Sequence, residues 1–448
     1  MPLTLLDVSE LEAKAKAIRR LILQTTHHAG TGHTGGSLSE ADILTALFFR
    51  VMRNRDTANQ RVDRDRFILS KGHTTPGYYS TLALRGYFPV ATLDTFDALG
   101  SILQGHPDMH KTPGVDMCSG SLGQGLSCAI GIQLAAARDP AMSGVRTFVL
   151  MGDGEIQEGQ VWEAALYAGA HKVRGLVGII DMNGVQCTSP TDESVPLEPI
   201  ADKWQAFGWT VLEVDGHAML PLAETLEKAR ALSADGPVVV VARTIKGKGV
   251  SFIEDRVAYH HKVPSPVEIE LAGSDERIVA VCNDSAGSSN LTGFQTQFPE
   301  RLINAGIAEQ NIVGVAAGLA NVGFIPFICA AAPFPTGSAL EQVKVDVAYN
   351  ALTVVLRGMS PDVAYGELEP THLSSENFSW LRAIDGLALI ALADPAQTAA
   401  CLRWAGAAAT PCCLRIGRGK APSATADPAK ALSFLCECLA SRASRRQD

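Results

Sequence analysis

A Gly-Asp-Gly triplet and a distant asparagine are the residues in this sequence best suited to hold a metal ion. Gly152, Asp153 and Gly154 follow the apolar segment RTFVLM, and Asn183 follows the next such segment, LVGIID. Because ligands of open α/β sheets bind beyond the carboxyl ends of the strands, these side chains could meet there. A carboxylate, an amide oxygen and a main-chain carbonyl suit Mg²⁺, and glycines let a diphosphate approach the backbone. The alternative is a pair of ordinary turns, in which Gly, Asp and Asn are common.

Histidines in loop-like segments form a second group of candidates. They are His33 in TGHTGG, His73 in SKGHTT, His106 in QGHPD and His260 in AYHHK. A single histidine is more often structural, whereas several loop histidines in one α/β unit favour a site that handles protons or phosphates. Zinc is not expected, because the ten cysteines include no C-x-x-C pair.

Glu309 is the third candidate. It opens the segment EQNIVGVAAGLA, which is otherwise almost entirely apolar or small. One interpretation is an acidic residue that favours the start of a helix through the helix dipole. The other is a carboxyl group in an apolar pocket that shares a proton with a ring nitrogen.

The elements that must position these residues alternate between apolar strands and amphipathic helices. This alternation predicts an α/β fold of two consecutive doubly wound parallel-sheet domains. In the first domain we predict a helix at 158–170 and strands at 146–151, 176–181, 209–214 and 237–243. Pro264 and Pro266 interrupt regular structure within 262–273, where we place the boundary. In the second domain we predict helices at 308–320 and 396–405 and strands at 278–282, 324–330, 351–357, 387–393 and 411–416.

Composition excludes several functional classes. The net charge is -9 and no strongly basic block is present, so neither nucleic acid nor an anionic membrane is an expected partner. The uncharged run 312–334 contains Asn321, Pro326 and Pro333, and it divides into a helix (312–321) and a strand (324–330) of buried core rather than a membrane span. The N-terminal segment has no apolar signal core, and scattered cysteines favour a reducing, cytoplasmic location.

Five ordered segments resemble the transketolase family of thiamine-diphosphate enzymes, from about residue 10 to about residue 420. They are TGHTGGSLSEADILTALFF, DRFILSKGH, GSLGQGLSCAIG, GDGEIQEGQVWEAA and FPERLINAGIAEQNIVGVAAGLA. The resemblance implies that residues 1–265 form the diphosphate-binding domain and that 274–425 form a pyrimidine-binding domain shortened at its start. It also implies that 426–448 form a C-terminal helix or tail and that the usual third domain is absent.

The resemblance further implies thiamine diphosphate as cofactor, with Mg²⁺ (or Ca²⁺ or Mn²⁺ in its place). The metal ligands would be Asp153, Asn183 and the main-chain oxygen of Val185. The matching cofactor-binding positions are His73, Gly120, Leu122, Gly152, Asp153, Gly154, Asn183, Val185, His260, Asp284, Glu309 and Phe334. Leu122 would hold the cofactor bent, and Glu309 would hydrogen-bond N1′ of its aminopyrimidine so that the 4′-imino group removes the C2 proton.

The implied reaction transfers a two-carbon ketol unit from a ketose to an aldose or aldehyde. The matching catalytic positions are Glu309, His33, His106, His260 and His372. The matching positions for a sugar or sugar-phosphate substrate are His33, His106, Ser288 or Ser289, His372 and Arg418. Glu158 matches a carboxylate near the family's dimer interface. Because the family's counterpart of Glu309 reaches the cofactor of the opposite subunit, a homodimer with sites between its subunits is implied.

Three departures from the family pattern predict altered sugar specificity. Leu368 stands where an aspartate reads a substrate hydroxyl, and Ala331 stands where an aromatic residue lines the pyrimidine pocket. The junction 266–277 lacks the segment that carries an arginine for the substrate phosphate. Two alternatives remain open: a thiamine-diphosphate lyase or decarboxylating synthase acting on an α-keto acid, and a half-site subunit that needs a companion chain.

Overall fold

The computed structural model describes residues 7–53, 62–251, 253–254, 275–364, 371–408 and 410–417. The chain divides into two compact units: the first contains the described residues up to 254, and the second contains those from 275 onwards. Each unit contains its own parallel β-sheet with helices packed on it. The prediction of two consecutive α/β domains with parallel sheets is confirmed.

The first unit contains a five-stranded sheet in the order β1-β2-β3-β5-β4, and every neighbouring pair is parallel. Its strands are β1 Arg66–Leu69, β2 Thr147–Gly152, β3 Leu176–Met182, β4 Thr210–Asp215 and β5 Val238–Arg243. Its α-helices are Val8–Ala29, Thr34–Ser39, Ala41–Ala46, Thr75–Arg85, Gly125–Ala136, Gly159–Ala170, Thr191–Ser194, Ile200–Ala206 and Met219–Leu232. Short 3₁₀ turns include Gly72–Thr74 and Glu155–Gln157.

The side chains of β2 show why this sheet is covered on both faces. Phe148 and Leu150 pack in one hydrophobic cluster, whereas Val149 and Met151 pack in the cluster on the opposite face. All six residues of β2 are buried. A strand buried on both faces carries a continuous apolar run, and this run made β2 predictable from the sequence.

The second unit contains a six-stranded parallel sheet in the order β10-β11-β9-β8-β6-β7. Its strands are β6 Ile278–Cys282, β7 Leu302–Asn304, β8 Ile325–Ala331, β9 Val355–Met359, β10 Ala388–Ala391 and β11 Cys412–Ile416. Its α-helices are Thr292–Gln297, Glu309–Asn321, Leu340–Gln342, Asn377–Arg382 and Pro395–Ala407, and π-helical turns cover Phe334–Ser338 and Val343–Tyr349.

The uncharged run 312–334 folds as predicted from its internal proline and asparagine residues. The helix Glu309–Asn321 ends within it, and β8 follows as a strand with six of seven residues buried. None of the helices in the described part of the chain combines the length and the apolar character that a bilayer span requires.

Candidate active site

Three neighbouring strands of the first unit bring the predicted cofactor-binding segments to one edge of the sheet. The segment 70–73 follows β1, Gly152–Gly154 end and follow β2, and Asn183–Val185 follow β3. Because β1, β2 and β3 are adjacent and parallel, their carboxyl ends lie side by side.

Asp153 links two of these loops. Its Oδ1 accepts a hydrogen bond from the main-chain nitrogen of Gly154 (2.8 Å), and its Oδ2 accepts one from that of Gly184 (2.5 Å). The side chain is buried, and burial together with the nearby charge of Asp181 raises the pKa of Asp153 to about 6. A bound cation would relieve this penalty, because it stabilises the ionised carboxylate.

Asn183 and Val185 flank Gly184, whose main-chain nitrogen donates to Asp153. The Asn183 amide donates to Asp181 (3.3 Å) and accepts from the Val185 nitrogen (3.2 Å), which fixes its orientation. The Val185 carbonyl accepts from Lys246 Nζ (2.8 Å) and keeps a second lone pair. Carboxylate, amide and main-chain oxygens fit Mg²⁺, and the Lys246 ammonium adds a charge that suits a diphosphate. Within the described ranges, no group of three or more His, Cys, Asp or Glu residues is placed to hold a metal.

A fully buried ion cluster behind these loops was not predicted from the sequence. Lys71 Nζ contacts Asp181 Oδ2 and lies 3.1 Å from Glu40 Oε2. Burial raises the pKa of Glu40 to about 8 against the attraction of Lys71. Burial would also raise the pKa of Asp181, but the Lys71 charge and hydrogen bonds from Lys71, Thr244 and Ser39 lower it. Lys71 therefore contacts both carboxyl groups, and burial favours the protonated form of Glu40.

Glu155 holds three glycine-rich segments together. Its Oε1 accepts from the Ser70 hydroxyl and from the Gly123 nitrogen (2.9 Å), and its Oε2 accepts from the Gly152 nitrogen (3.0 Å). The side chain is buried. It joins the segments SKGH, GSLG and GDG, which contain the predicted positions His73, Gly120, Leu122 and Gly152.

A close backbone approach requires glycine in the SKGH turn. A Cβ atom on Gly72 would lie 2.7 Å from the main-chain nitrogen of Gly120, closer than such atoms come in folded proteins. Gly120 is buried, and Leu122 is half-buried two residues further on. The predicted positions His73, Gly120 and Leu122 therefore belong to two segments that touch.

Two of the predicted histidines lie together. The rings of His33 and His73 meet edge to face with their centroids 4.9 Å apart. His106 is buried, and its loop is held by the Tyr79 hydroxyl, which donates to the His106 carbonyl (3.0 Å). The Thr75 hydroxyl makes a similar bond to the Gly105 carbonyl (2.8 Å).

In the second unit, Glu309 is the first residue of its helix and is buried. Its Oε1 accepts a hydrogen bond from the Asn283 amide nitrogen (2.6 Å). Asp284, which follows Asn283 in the sequence, has a positive φ of 62° and makes two hydrogen bonds (2.9 and 3.0 Å) with the side chain of Asn304. Asn283 was not predicted as a site residue, although its place directly after the apolar strand IVAVC was a signal.

The remaining predicted residues of the second unit lie in loops or turns after its strands. Phe334 and His372 are in edge-to-face contact, with ring centroids 5.0 Å apart. Ser288 is exposed, whereas Ser289 is buried and its hydroxyl lies 3.0 Å from that of Ser285. His260, Arg418 and Leu368 lie outside the described residues, so their roles remain predictions.

Two family descriptions match successive parts of the sequence. "Transketolase, thiamine diphosphate binding domain" matches residues 11–269, and "Transketolase, pyrimidine binding domain" matches residues 267–423. The chain belongs to the transketolase family. The predicted resemblance to the transketolase family is confirmed, and so is the expectation that this chain is a transferase.

Known transketolases and proteins named as transketolase subunits are similar to this chain. An apulose-4-phosphate transketolase subunit of Actinobacillus succinogenes is 45% identical over 270 residues, which are 60% of this chain and 96% of that protein. A 6-deoxy-6-sulfo-D-fructose transketolase subunit of Clostridium sp. (strain MSTE9) is 44% identical over 252 residues (56% of this chain, 90% of that protein). The transketolase of Rattus norvegicus is 30% identical over 434 residues, and the match covers 84% of this chain and 68% of that protein.

Solved transketolase structures share the fold. The enzyme from Campylobacter jejuni aligns with a TM-score of 0.54 at 22% identity, covering 94% of this chain and 81% of that one. The enzyme from Leishmania mexicana aligns with a TM-score of 0.52 at 24% identity, covering 95% and 79%. Both sheets therefore belong to the thiamine-diphosphate-binding fold of this family.

Proposed function

We propose that this chain is a thiamine-diphosphate- and Mg²⁺-dependent transferase that moves a two-carbon ketol unit from a ketose to an aldose or aldehyde. The observation that carries the proposal is the buried carboxyl group of Glu309 at the start of its helix, within the part that matches the pyrimidine-binding domain. The oxygen-rich loops around Asp153, within the part that matches the diphosphate-binding domain, support it independently.

We assign the diphosphate and the metal to the first unit. Asp153, Asn183 and the Val185 carbonyl would bind Mg²⁺, for which the donor set is suited. Lys246, whose ammonium contacts the Val185 carbonyl, adds positive charge next to that site. Main-chain groups of the glycine-rich segments can approach a diphosphate closely because no Cβ intervenes. When bound, thiamine diphosphate supplies the electron sink that cleavage of a carbon–carbon bond beside a carbonyl requires.

We assign proton control to the second unit. One oxygen of Glu309 is engaged by Asn283, so Oε2 is the oxygen that would meet N1′ of an aminopyrimidine. A carboxylate there favours a proton on that ring nitrogen. Phe334, next to His372, offers an apolar surface for the ring. His33, His106 and His372 are the neighbours we expect for the substrate carbonyl and hydroxyls, since histidine can donate or accept near neutral pH.

The substrate we favour is a ketose with a charged terminal group, other than the ordinary pentose phosphates. Ser288 is the better of the two serine candidates for contacting that group, because its hydroxyl is exposed and that of Ser289 is not. Leu368 and Ala331 replace polar and aromatic residues of the family pattern. Two similar proteins are named for apulose 4-phosphate and 6-deoxy-6-sulfo-D-fructose, and these names support an unusual sugar here as well.

The assembly we propose is a homodimer, as the family resemblance implies. A second candidate is a half-site chain that works with a companion, which the word "subunit" in the names of two similar proteins favours. A reducing, cytoplasmic setting remains our expectation from the scattered cysteines of the sequence.

A donor–acceptor screen tests the proposed reaction. The purified full chain would be incubated with thiamine diphosphate, Mg²⁺, phosphorylated or sulfonated ketoses and a set of aldoses, and products identified by mass spectrometry. We expect a new ketose that carries the donor's first two carbons, formed only when both cofactors are present. Turnover of pyruvate without turnover of any ketose would overturn the proposal in favour of an α-keto acid lyase. Activity that appears only after a companion chain is added would select the half-site alternative.

A further inference from the structure

A continuous line of hydrogen bonds leads from Glu309 to the serine-rich turn after β6. Asn283 Nδ2 donates to Glu309 Oε1 (2.6 Å), and Asn283 Oδ1 accepts from the Ser285 hydroxyl (2.6 Å). The Ser285 oxygen lies 3.0 Å from the hydroxyl of Ser289. Asn283, Ser289 and Glu309 are all buried, so the connections run through a region of low dielectric.

The donor and acceptor atoms show that every hydrogen bond in this line is donated in the direction of Glu309. The Asn283 amide presents its nitrogen to Glu309 and its oxygen to the Ser285 hydroxyl, which can donate only one proton. Ser285 has one hydroxyl proton, and its 2.6 Å contact with Asn283 is its shortest. Ser289 can then donate to Ser285. All three donors therefore point towards Glu309.

We propose that Asn283 is a positioning residue for Glu309, holding Oε1 so that Oε2 alone meets the aminopyrimidine ring. This inference rests on the proposed function. A hydrogen bond donated to a carboxylate favours its ionised form, the form that can hold a proton on the ring nitrogen. Asn283 supplies this bond without adding charge. Its second contact, to Ser285, keeps the amide from turning and connects the acid to the Ser288–Ser289 turn.

The surroundings contribute few competing charges. The titratable or charged groups on the strands and loop around the pair, within the described residues, are Cys282, Cys329, Asp284 and Arg357. Burial raises the pKa of the Cys282 thiol to about 12, so it is neutral in the physiological range. The Arg357 guanidinium donates to the Ser289 carbonyl (2.8 Å), at the far end of the line from Glu309.

The variants that test this proposal are Asn283→Ala, Asn283→Asp and Glu309→Gln, with Gln297→Ala as an exposed amide control. In the full chain with thiamine diphosphate and Mg²⁺, Asn283→Ala should slow exchange of the cofactor C2 proton about ten- to a hundredfold, since a hydrogen bond to a charged group is lost. Cofactor affinity should stay within about threefold of wild type. Asn283→Asp places a second carboxyl group against Glu309 and should move the acid limb of the exchange profile up by about one pH unit or more.

Thermal unfolding without cofactor gives a second readout. In Asn283→Asp, the new carboxyl group lies next to that of Glu309. The pair keeps a proton in the folded state, because two adjacent negative charges repel each other, and releases it on unfolding. The melting temperature of Asn283→Asp should therefore fall further below wild type as pH rises from about 4, the ordinary carboxyl pKa. This widening should shrink when Glu309→Gln is combined with Asn283→Asp, because the repulsion between two carboxylates is gone and only the effect of burial remains.

The outcomes distinguish the role of Asn283 from the proposed function of the chain. Exchange in Asn283→Ala equal to that in Gln297→Ala, or a melting difference that stays constant with pH, would overturn the role of Asn283. Normal exchange in Glu309→Gln would overturn the proposed function, while the melting cycle would still decide whether Asn283 and Glu309 are paired. If Asn283→Asp does not fold, the exchange rate and pH profile of Asn283→Ala decide alone.

Discussion

The buried carboxylate of Glu155 accepts a hydrogen bond of 2.9 Å from the main-chain nitrogen of Gly123. The Ser70 hydroxyl donates to the same oxygen, and the other carboxylate oxygen accepts a hydrogen bond of 3.0 Å from the main-chain nitrogen of Gly152. Three loops that we expect around the cofactor diphosphate are thus tied to one side chain. Their relative positions depend on a residue that is not itself expected to touch the cofactor.

Replacing Glu155 with alanine should therefore weaken both stability and cofactor binding. Three buried donors lose their acceptor, which should lower the free energy of unfolding by about 3 kcal/mol or more and the melting temperature by about 6 °C or more. Differential scanning fluorimetry and a thiamine diphosphate titration measure the two effects. Unchanged affinity in a folded variant would show that the loops hold their positions without Glu155.

Asp153→Asn should remove the dependence of cofactor binding on Mg²⁺. The variant keeps the size of the side chain but lacks the charge that a hard cation requires. We expect thiamine diphosphate affinity at saturating Mg²⁺ to fall about a hundredfold, which corresponds to a loss of about 3 kcal/mol of binding free energy. Isothermal titration with and without Mg²⁺ measures it, and Asp192→Asn, at an exposed position, is the matched control. Wild-type affinity in Asp153→Asn would place the metal elsewhere.

The raised pKa of Glu40 predicts a distinctive pH dependence of stability. Its folded pKa of about 8 lies above the ordinary value of 4.5, so the folded protein keeps a proton that the unfolded chain releases. The free energy of unfolding should fall as pH rises through this interval, and Glu40→Gln should remove that part of the slope. Melting temperatures at pH 5.5, 7 and 8.5 test this, with the exposed Glu163→Gln as control. If the melting temperatures of Glu40→Gln and wild type change with pH in the same way, Glu40 is ionised in the folded protein.

The two adjacent serines should respond differently to substitution. Ser288→Ala removes an exposed hydroxyl, so KM for a substrate with a charged terminus should rise about tenfold while kcat and stability change little. Ser289→Ala removes a buried hydroxyl bonded to Ser285 and should lower the melting temperature instead. Steady-state kinetics and thermal unfolding of both variants check this. A KM effect confined to Ser289→Ala would reverse the assignment.

The sequence predicted the buried strands because strands covered on both faces leave a continuous apolar run. It predicted β6 with the bounds that the structure shows, and β2 and β8 within one residue. It missed β1 and β7; β7 has only three residues, too few to show a period. The strand predicted at 351–357 begins later, at Val355, since Ala351 has a positive φ of 51°.

Site residues were predictable where a polar residue stands out in an apolar segment. Contacts between residues far apart in the sequence were not predictable. Asp153, Asn183 and Glu309 stand out because polar groups follow or open apolar elements. The pairing of Lys71 with Asp181 could not be inferred, since these residues lie 110 positions apart and meet only through the parallel pairing of the strands. The contact of Asn283 with Glu309 likewise depends on how β6 and a helix 26 residues later are arranged.

Glu309 is the residue on which the proposed function depends most directly, and exchange of the thiamine diphosphate C2 proton tests its role. In the full chain loaded with cofactor and Mg²⁺, Glu309→Gln should slow this exchange about a hundredfold or more, the usual contribution of a positioned acid–base group. Diphosphate affinity should change little, because the metal-binding loops belong to the first unit. The exposed Glu341→Gln serves as control. Exchange at the wild-type rate in Glu309→Gln would contradict the central claim.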